Sequence, residues 1–251
     1  MIIPRRLEPP GVPARPTDRV WYAAYGSNMD ARRLTYYLAG GRHPGGTRTY
    51  PGCADPRPPE RSCAVLLPGI VYFATESPVW GGGRAFYDPD AEGETPARAY
   101  LVPVAQFSGI AAQEMYEDPG REVDLREVLT HGRARLGPGR YETLVCPGFL
   151  DGLPVVTFTA PWAVGEVAGT PPSPAYLRHL ASGLMEAHGW TAGQAAGYLA
   201  GRPGAKGHWT PEDVADVLRR PASPGAVTPP SAPLPEAGGG RRENPGRRGT
   251  V

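Results

Sequence analysis

The chain has 251 residues, and its 34 glycines and 32 prolines are together about twice what average usage predicts. Its 26 Lys and Arg residues nearly balance 25 Asp and Glu residues, giving a net charge of +1. This balance argues against non-specific binding to nucleic acid or to an anionic membrane, which depends on a strong positive field. No apolar run reaches the length of a membrane span, and the N-terminus lacks the apolar core of a secretory signal, so we expect a cytoplasmic protein.

Proline and glycine are concentrated toward the two ends of the chain. Residues 1–18 contain five prolines and little apolar content, and residues 220–251 contain only three large apolar side chains. Segments of this composition cannot offset the entropy lost on ordering. We therefore predict a disordered arm at 1–18, one domain at 19–202 and a flexible tail at 203–251.

The domain opens with a predicted strand, loop and helix. Residues 20–25 are an apolar and aromatic run, which the polar residues 26–28 stop, and helical spacing follows over 29–38. A glycine beside short polar residues before a helix lets backbone N–H groups hold a carboxylate or carbonyl oxygen. On spacing alone, the simpler interpretation is that Ser27 or Asn28 caps the helix.

The rest of the domain alternates short strands with a few helices. Apolar runs predict six further strands, at 64–67, 70–74, 84–87, 97–102, 141–146 and 154–160. Helical spacing or capping residues predict helices at 104–116, 173–189, from 191 onward, and near 210–219. Because strands outnumber the gaps long enough for crossover helices, we predict an α+β fold with a mostly antiparallel, barrel-like mixed sheet and flanking helices.

One carboxylate falls on an apolar helix face. Glu114 lies seven residues, about two turns, after Phe107, and therefore on the same face of the predicted helix. It could be a solvated helix end, a buried partner of an arginine, or a group with a chemical role. The residue pattern alone leaves these alternatives open.

Several kinds of site are absent from the sequence. No GxGxxG, GxxxxGK[ST] or GxSxG pattern occurs, which argues against dinucleotide, P-loop and hydrolase-elbow sites. The five histidines are scattered and form no zinc-binding pair, and the three cysteines form no CxxC pair. We expect neither a metal nor another cofactor, and we expect reduced cysteines.

Four short motifs, in order along the chain, resemble those of the γ-glutamylcyclotransferase family, including its AIG2-like relatives. They are Tyr25-Gly26-Ser27-Asn28, similar to its YGSN loop; the stretch from Phe107 to Glu114, similar to its LxxLDxxEG helix; Gly139-Arg140-Tyr141, similar to its GxY; and Pro172-Ser173-Pro174-Ala175-Tyr176, similar to its PSxxY. The resemblance covers about residues 20–200. Ala111-Ala112 and Met115 depart from the family pattern on either side of the glutamate.

The resemblance implies a cofactor-independent reaction on a small-molecule γ-glutamyl amide. Family members let the substrate's α-amine attack its own γ-carbonyl, which gives 5-oxoproline and a free amine. Glu114 would be the catalytic residue that takes a proton from the α-ammonium group and returns it to the leaving amine. The loop residues Tyr25, Gly26, Ser27 and Asn28 would bind the substrate. Tyr141 and Tyr176 would also bind it.

Two alternatives stay open at this stage, as do several details. The first is hydrolysis or deacylation of a related amide, although neither the ligands of a zinc deacetylase nor the nucleotide site of a sirtuin is visible. The second is a non-catalytic module that binds a small carboxylate.

The segment 116–138 is expected to add a helix beside the pocket that could act as a lid. The leaving amine and the oligomeric state are not indicated by the sequence.

Overall fold

The structure is a computed structural model that describes residues 2–9, 11, 17–42 and 48–220. The predicted tail beyond residue 220 lies outside the described residues, as does part of the predicted arm at 1–18. None of the helices in the described ranges is both long enough and apolar enough to cross a membrane.

The described residues form eleven strands and six α-helices. The strands are β1 (Arg5–Arg6), β2 (Arg19–Ala24), β3 (Gly41–Arg42), β4 (Thr49–Tyr50), β5 (Arg61–Pro68), β6 (Ile70–Ser77), β7 (Gly82–Asp88), β8 (Glu94–Pro103), β9 (Arg133–Arg135), β10 (Thr143–Leu150) and β11 (Leu153–Thr159). The helices are α1 (Ala31–Ala39), α2 (Val104–Glu114), α3 (Arg126–His131), α4 (Pro174–His188), α5 (Ala192–Ala200) and α6 (Pro211–Arg219), and a short 3-10 helix covers Ser27–Met29.

Seven strands form one mixed sheet in the order β1-β5-β8-β2-β11-β10-β9, while β3–β4 and β6–β7 form two-stranded ladders. The β1–β5 and β2–β11 pairs are parallel, and the other described pairs are antiparallel. Strand β2 lies at the centre, and Val20 through Ala24 are all buried there. A strand covered on both faces explains why its sequence is a continuous apolar run.

The β6–β7 hairpin folds over the sheet and gives it a barrel-like shape. Gly69, between β5 and β6, has φ of 94°, and a Cβ atom there would lie 2.2 Å from the carbonyl oxygen of Asp88. Only glycine fits this sharp bend. At the other side of the hairpin, the Tyr87 N–H donates to Thr159 Oγ1 on β11 at 2.9 Å, and this hydroxyl donates back to the Tyr87 carbonyl at 2.7 Å. The predicted fold class is confirmed.

Helix α4 reaches the loop that follows β2. A Cβ atom at Gly183, in the middle of α4, would lie 2.5 Å from Cβ of Met29, so the glycine permits close contact between helix and loop. The helix begins as predicted, with Pro174 in its first turn and the Ser173 side chain accepting from the Tyr176 N–H. The loop after β2 is therefore held from behind by a helix 150 residues later in the chain.

The predicted N-terminal boundary of the folded region is wrong. Arg5 and Arg6 form β1 beside β5, and the Arg5 guanidinium donates two hydrogen bonds to the Asp151 carboxylate at 2.9 and 2.5 Å. Glu8 and Phe149 exchange backbone hydrogen bonds at 2.9 and 3.0 Å. Long-range pairing with β5 and β10 orders this segment despite its proline-rich composition.

The predicted C-terminal boundary at residue 202 is also wrong, because folded structure continues to α6. The Phe73 N–H donates to the Pro203 carbonyl at 2.8 Å, and the Trp209 indole N–H donates to the Pro172 carbonyl at 3.0 Å. Helix α6 has a capping box between Thr210 and Asp213. Its Val214 is completely buried against the other C-terminal helices, so the helix near 210–219 belongs to the domain.

Candidate functional site

A cleft, partly open to solvent, lies between the loop after β2, α1, the end of α2 and β7. It is lined by all of the residues that the sequence predicts for the site: Tyr25, Gly26, Ser27, Asn28, Glu114, Tyr141 and Tyr176. Their roles stay predictions, but residues far apart in sequence share one cleft. Residues that were not predicted for the site also line the cleft: Tyr22, Arg33, Tyr37, Arg48, Tyr50, Ser77, Val79, Trp80, Arg84, Ala85, Tyr116 and Phe158.

The cap of α1 is Asp30, whose side chain accepts from the Arg32 N–H at 3.0 Å. The simpler interpretation of the sequence, in which Ser27 or Asn28 caps the helix, is therefore wrong. Because Asp30 caps the helix, the side chains of Ser27 and Asn28 are not needed as caps, and both residues line the cleft.

The loop contains two backbone N–H donors without an acceptor among the described residues. The N–H groups of Gly26 and Ser27 find no hydrogen-bond acceptor within the described ranges. A Cβ atom at Gly26 would lie 3.6 Å from the Tyr176 hydroxyl, so the glycine leaves room between loop and helix. Adjacent free N–H groups can hold a carboxylate or a developing oxyanion.

The Glu114 carboxylate is half-buried at the last residue of α2 and faces the loop. Its Oε1 accepts a hydrogen bond from Asn28 Nδ2 at 3.1 Å. No Lys, Arg or His side chain of the described residues lies within ion-pair distance of this carboxylate. Glu114 is thus neither a fully solvated helix end nor an ion-paired carboxylate.

Asn28 joins the loop to the floor of the cleft. Its side-chain amide donates to Glu114 and to the Tyr22 hydroxyl, the latter at 3.2 Å, and the residue is 3% exposed. Its Oδ1 is buried and accepts no hydrogen bond from the described residues. Leaving a buried acceptor unpaired is costly, so a donor on a ligand at this point would be stabilising.

Arg33 is a buried cation on the α1 wall. Its guanidinium donates to Ser27 Oγ at 2.8 Å and to the Tyr50 hydroxyl at 2.9 Å, and it lies 5.0 Å from the centre of the Trp80 ring. Burial alone lowers the pKa of Arg33, but nearby tyrosine hydroxyls and the Glu114 carboxylate raise it overall. The four-residue spacing between Arg33 and Tyr37 on one helix face is the sequence signal that could have found it.

The hydroxyls of the three predicted site tyrosines are partly committed to the protein. Tyr25 donates to the Phe158 carbonyl at 2.8 Å, and Tyr141 donates to the Ala85 carbonyl at 3.0 Å. The Ala85 N–H in turn donates weakly to the Tyr176 hydroxyl, at 3.4 Å. Burial raises the pKa of Tyr176 to about 12, and burial also raises the pKa values of Tyr25 and Tyr141, so all three are neutral donors near neutral pH. Tyr141 lies in the turn before β10 rather than within it.

The segment 116–138 contributes one residue to the cleft. Tyr116 lines its mouth, and the Arg48 guanidinium lies between the rings of Tyr116 and Tyr50, at 4.5 and 4.9 Å. The predicted extra helix is present as α3, but α3 contacts β9 and β10 and supplies no lining residue. The expectation that this helix forms a lid over the pocket is therefore wrong.

The cleft brings together several kinds of polar group. It combines one unpaired carboxylate with backbone donors, neutral hydroxyls and guanidinium groups, and its walls are mainly aromatic rings. Among the described residues, no group of three or more His, Cys, Asp or Glu side chains could hold a metal ion.

Comparisons with known proteins give matches of different kinds, and no family model matches the chain. The chain is 31% identical over 202 residues to histone deacetylase 5 of Arabidopsis thaliana, which covers 72% of this chain and 30% of that protein. The chain thus spans less than a third of the length of this curated relative.

Two solved structures are also similar to the chain. One is an uncharacterized protein from Homo sapiens, with 15% identity, a TM-score of 0.44, and coverage of 81% of this chain and 100% of that one. The other is a γ-glutamyl cyclotransferase, with 15% identity, a TM-score of 0.40, and coverage of 80% and 98%.

Proposed function

We propose that the chain is a γ-glutamylcyclotransferase-like enzyme, which converts a γ-glutamyl amide to 5-oxoproline and a free amine. The observation that carries the proposal is the hydrogen bond between Glu114 and Asn28. It joins the glutamate of the second resembling motif to the loop of the first, across 86 residues, in a cleft that also contains the tyrosines of the other two.

In the proposed reaction Glu114 moves one proton twice. The α-ammonium group of the substrate cannot attack until it loses a proton, and the leaving nitrogen departs poorly until it gains one. A single carboxylate beside both nitrogens can take the first proton and return it at the second step, which typically contributes about 10²–10⁴-fold. Asn28 holds the carboxylate by donating a hydrogen bond to its Oε1 atom.

The remaining loop groups would position the substrate. As the α-nitrogen attacks the γ-carbonyl carbon, its oxygen gains negative charge, which the free N–H groups of Gly26 and Ser27 can stabilise. Ring closure gains most from orientation, since well-placed intramolecular attack reaches effective molarities of roughly 10⁵–10⁸ M.

A hydrolase on the same site would form a different product, and a binding module would form none. Deacetylation that depends on zinc is not supported, because no suitable set of metal ligands exists among the described residues.

We also propose a cytoplasmic location, which is supported by three cysteines that stay as free thiols.

The test is to incubate the protein with a panel of γ-glutamyl amides and to measure 5-oxoproline and glutamate by mass spectrometry. We expect 5-oxoproline from the parent protein and a decrease of at least about 10²-fold for Glu114→Gln, which keeps the shape of the side chain but cannot accept the proton. Glu117→Gln is the matched control, because Glu117 is exposed just beyond the same helix.

The products separate the alternatives. Free glutamate in place of the lactam would identify a hydrolase, and binding without any product would identify a non-catalytic module. Equal lactam formation by the parent and by Glu114→Gln would remove Glu114 from the mechanism. Thermal denaturation of each variant excludes loss of folding as the cause.

A further inference from the structure

Glu114 is the last residue of α2, where a helix is least constrained by its own hydrogen bonds. The last four carbonyl groups of a helix have no partner within it, so this end depends on contacts from outside. The Gln113 carbonyl is one of these four, and it accepts from the Arg48 guanidinium at 2.6 Å. The position of the Glu114 carboxylate therefore depends on the groups that hold the end of α2.

Gln113, the residue before Glu114, joins the ends of two helices. It is completely buried, and its Nε2 donates to the Tyr37 carbonyl at 2.9 Å and to the Gly109 carbonyl at 3.0 Å. The Tyr37 carbonyl belongs to the last turn of α1, and the Gly109 carbonyl lies one turn earlier on α2. One side-chain amide thus fixes the end of α2 against the end of α1.

The α1 residue that accepts from Gln113 also lies beside Glu114. Tyr37 lines the cleft, and its hydroxyl accepts from Arg33 Nη2 at 3.4 Å. Burial raises the pKa of Tyr37, and the nearby charge of the Glu114 carboxylate raises it further. A shift between α1 and α2 would therefore change the surroundings of the carboxylate.

The two helices are closely packed at this point. A Cβ atom at Gly109 of α2 would lie 2.7 Å from Cys53 Sγ, and the Cys53 N–H donates to the Leu38 carbonyl of α1 at 2.8 Å. Cys53 therefore contacts both helices and limits how closely they can approach. The Gln113 amide adds a directional contact to this packing.

We propose that Gln113 is a positioning residue for the reaction, because its side chain fixes the end of α2 and thereby the Glu114 carboxylate beside Asn28 and the substrate. This inference rests on the proposed function. The carboxylate has to lie beside both nitrogens of the substrate, and a misplacement of about 1 Å in such a site can lower the rate about 10²-fold. Gln113 acts through Glu114, since it does not itself line the cleft.

The same helix contains a second buried glutamine, which offers a matched control. Gln106 lies seven residues before Gln113, on the same face of α2, and is 2% exposed. Its Nε2 donates to the carbonyl groups of Asp55 and Arg57, both at 2.9 Å. The two glutamines therefore make similar bonds to backbone carbonyl groups, but only Gln113 makes them next to Glu114.

The experiment compares Gln113→Met with Gln106→Met, since methionine is of similar length and cannot donate to the carbonyl groups. Each change removes a donor from two carbonyl groups, so we expect both melting temperatures to fall. In Gln113→Met, kcat for 5-oxoproline formation should fall at least tenfold while KM changes less than threefold, because the substrate-binding loop is intact. In Gln106→Met, kcat should stay within twofold of the parent value.

Gln113→Asn is the second variant, because it keeps the amide on a shorter side chain. Its kcat should lie between those of the parent and Gln113→Met, and it provides the comparison if Gln113→Met does not fold. An equal decrease of kcat in the variants of Gln113 and Gln106, an unchanged kcat in the Gln113 variants, or an effect mainly on KM would overturn the role of Gln113 while leaving cyclotransfer intact.

No 5-oxoproline from the parent protein would overturn the proposed function, and with it the role of Gln113 in the reaction. Hydrogen–deuterium exchange tests the contact itself, because it requires no turnover. The Met115 N–H donates to the Ala111 carbonyl at 3.0 Å, and it should exchange faster in Gln113→Met than in Gln106→Met. Equal exchange in the two variants would show that Gln113 does not hold the end of α2.

Discussion

At the scale of single residues, two tyrosines at the cleft have strained backbones. Tyr116 and Tyr141 both have φ of 64°, in the left-handed region that a bulky side chain rarely adopts. Such a residue costs about 1–3 kcal/mol and persists only where its surroundings enforce it. The Glu117 N–H bonds to the Ala112 carbonyl at 2.8 Å, closing the end of α2 around Tyr116. Both residues with strained backbones thus line the same cleft.

The hydroxyl of Ser27 gives a test of mechanism at this scale. Ser27 Oγ accepts a hydrogen bond from Arg33, and no general base among the described residues hydrogen-bonds to it, so it should not act as a nucleophile. We expect Ser27→Ala to lower kcat by less than tenfold, since the backbone N–H remains. The measurement is the steady-state rate of 5-oxoproline release. A decrease as large as that of Glu114→Gln would indicate a covalent mechanism.

His188 gives a pH test of stability that is separate from catalysis. It is buried at the end of α4, its Nε2 lies 3.0 Å from the Ala97 carbonyl oxygen, and burial lowers its pKa, partly offset by that hydrogen bond. The unfolded chain therefore binds the proton more readily, so the free energy of unfolding should decrease as pH falls below about 6.5.

Urea denaturation between pH 7.5 and 5.0 measures this effect, with His188→Gln as the comparison. The variant can keep a donor near the carbonyl but cannot titrate, so its stability should change less over this range. Identical pH dependence in the two proteins would show that His188 does not contribute.

At the scale of elements, the site depends on one helix pressing against one loop. The motif of strand, loop and 3-10 turn supplies the binding groups, and α4 supports it from behind through Gly183. Sequence periodicity predicted both elements, but it could not show that they touch. The contact arises only in the folded structure, where α4 packs against a loop that is distant in sequence.

We expect Gly183→Ala to displace the loop, because the added Cβ would meet Met29 and the Asp30 N–H at 2.5 and 3.2 Å. Overpacking of this kind typically costs about 1–3 kcal/mol, and the rate of lactam formation should fall with it. Thermal denaturation and the activity assay measure both effects.

The matched control is Gly197→Ala on α5. Nothing lies within 4 Å of a Cβ atom at Gly197, so this change should leave stability unaltered or increase it by about 0.5–1 kcal/mol. If Gly183→Ala behaved in the same way, α4 could not be said to hold the loop rigidly.

At the scale of the whole molecule, the buried strands were predictable and the polar edge strands were not. The runs that became β2, β6, β7, β8, β10 and β11 are rich in apolar residues, and the hairpin at Asp151-Gly152 has φ of 53° and 73°, as this turn requires. By contrast, β1 and β9 consist of Arg5–Arg6 and Arg133–Arg135, which carry no apolar signal. Their order comes from neighbours distant in sequence.

The same division holds for the candidate site. The family resemblance predicted Glu114 and the loop as site residues, and in the structure Glu114 is hydrogen-bonded to Asn28 of the loop. Arg33 and Arg84 were missed, because an arginine in a helix or strand is usually a solvated surface residue. Their burial depends on contacts with residues elsewhere in the chain, such as that of Arg33 with Tyr50 and that of Arg84 with Thr75.

The extent of the domain yields a prediction at this scale. A protein ending at residue 202 lacks Trp209 and Val214, whereas one ending at 220 keeps both buried contacts. The longer protein should have the higher melting temperature, by several degrees, as expected for a loss of about 2–4 kcal/mol from a domain of this size. Equal melting temperatures would mean that α6 contributes nothing to the fold.

The stacking around Trp80 also has a spectroscopic consequence. Of the five tryptophans, Trp80 is the one that lines the cleft, with its ring 5.3 Å from that of Tyr176 and 5.0 Å from the Arg33 guanidinium. A ligand that draws the guanidinium away or displaces water from the indole changes the emission of this single chromophore. The cleft thus contains its own fluorescent reporter, and occupancy can be read from the unlabelled protein.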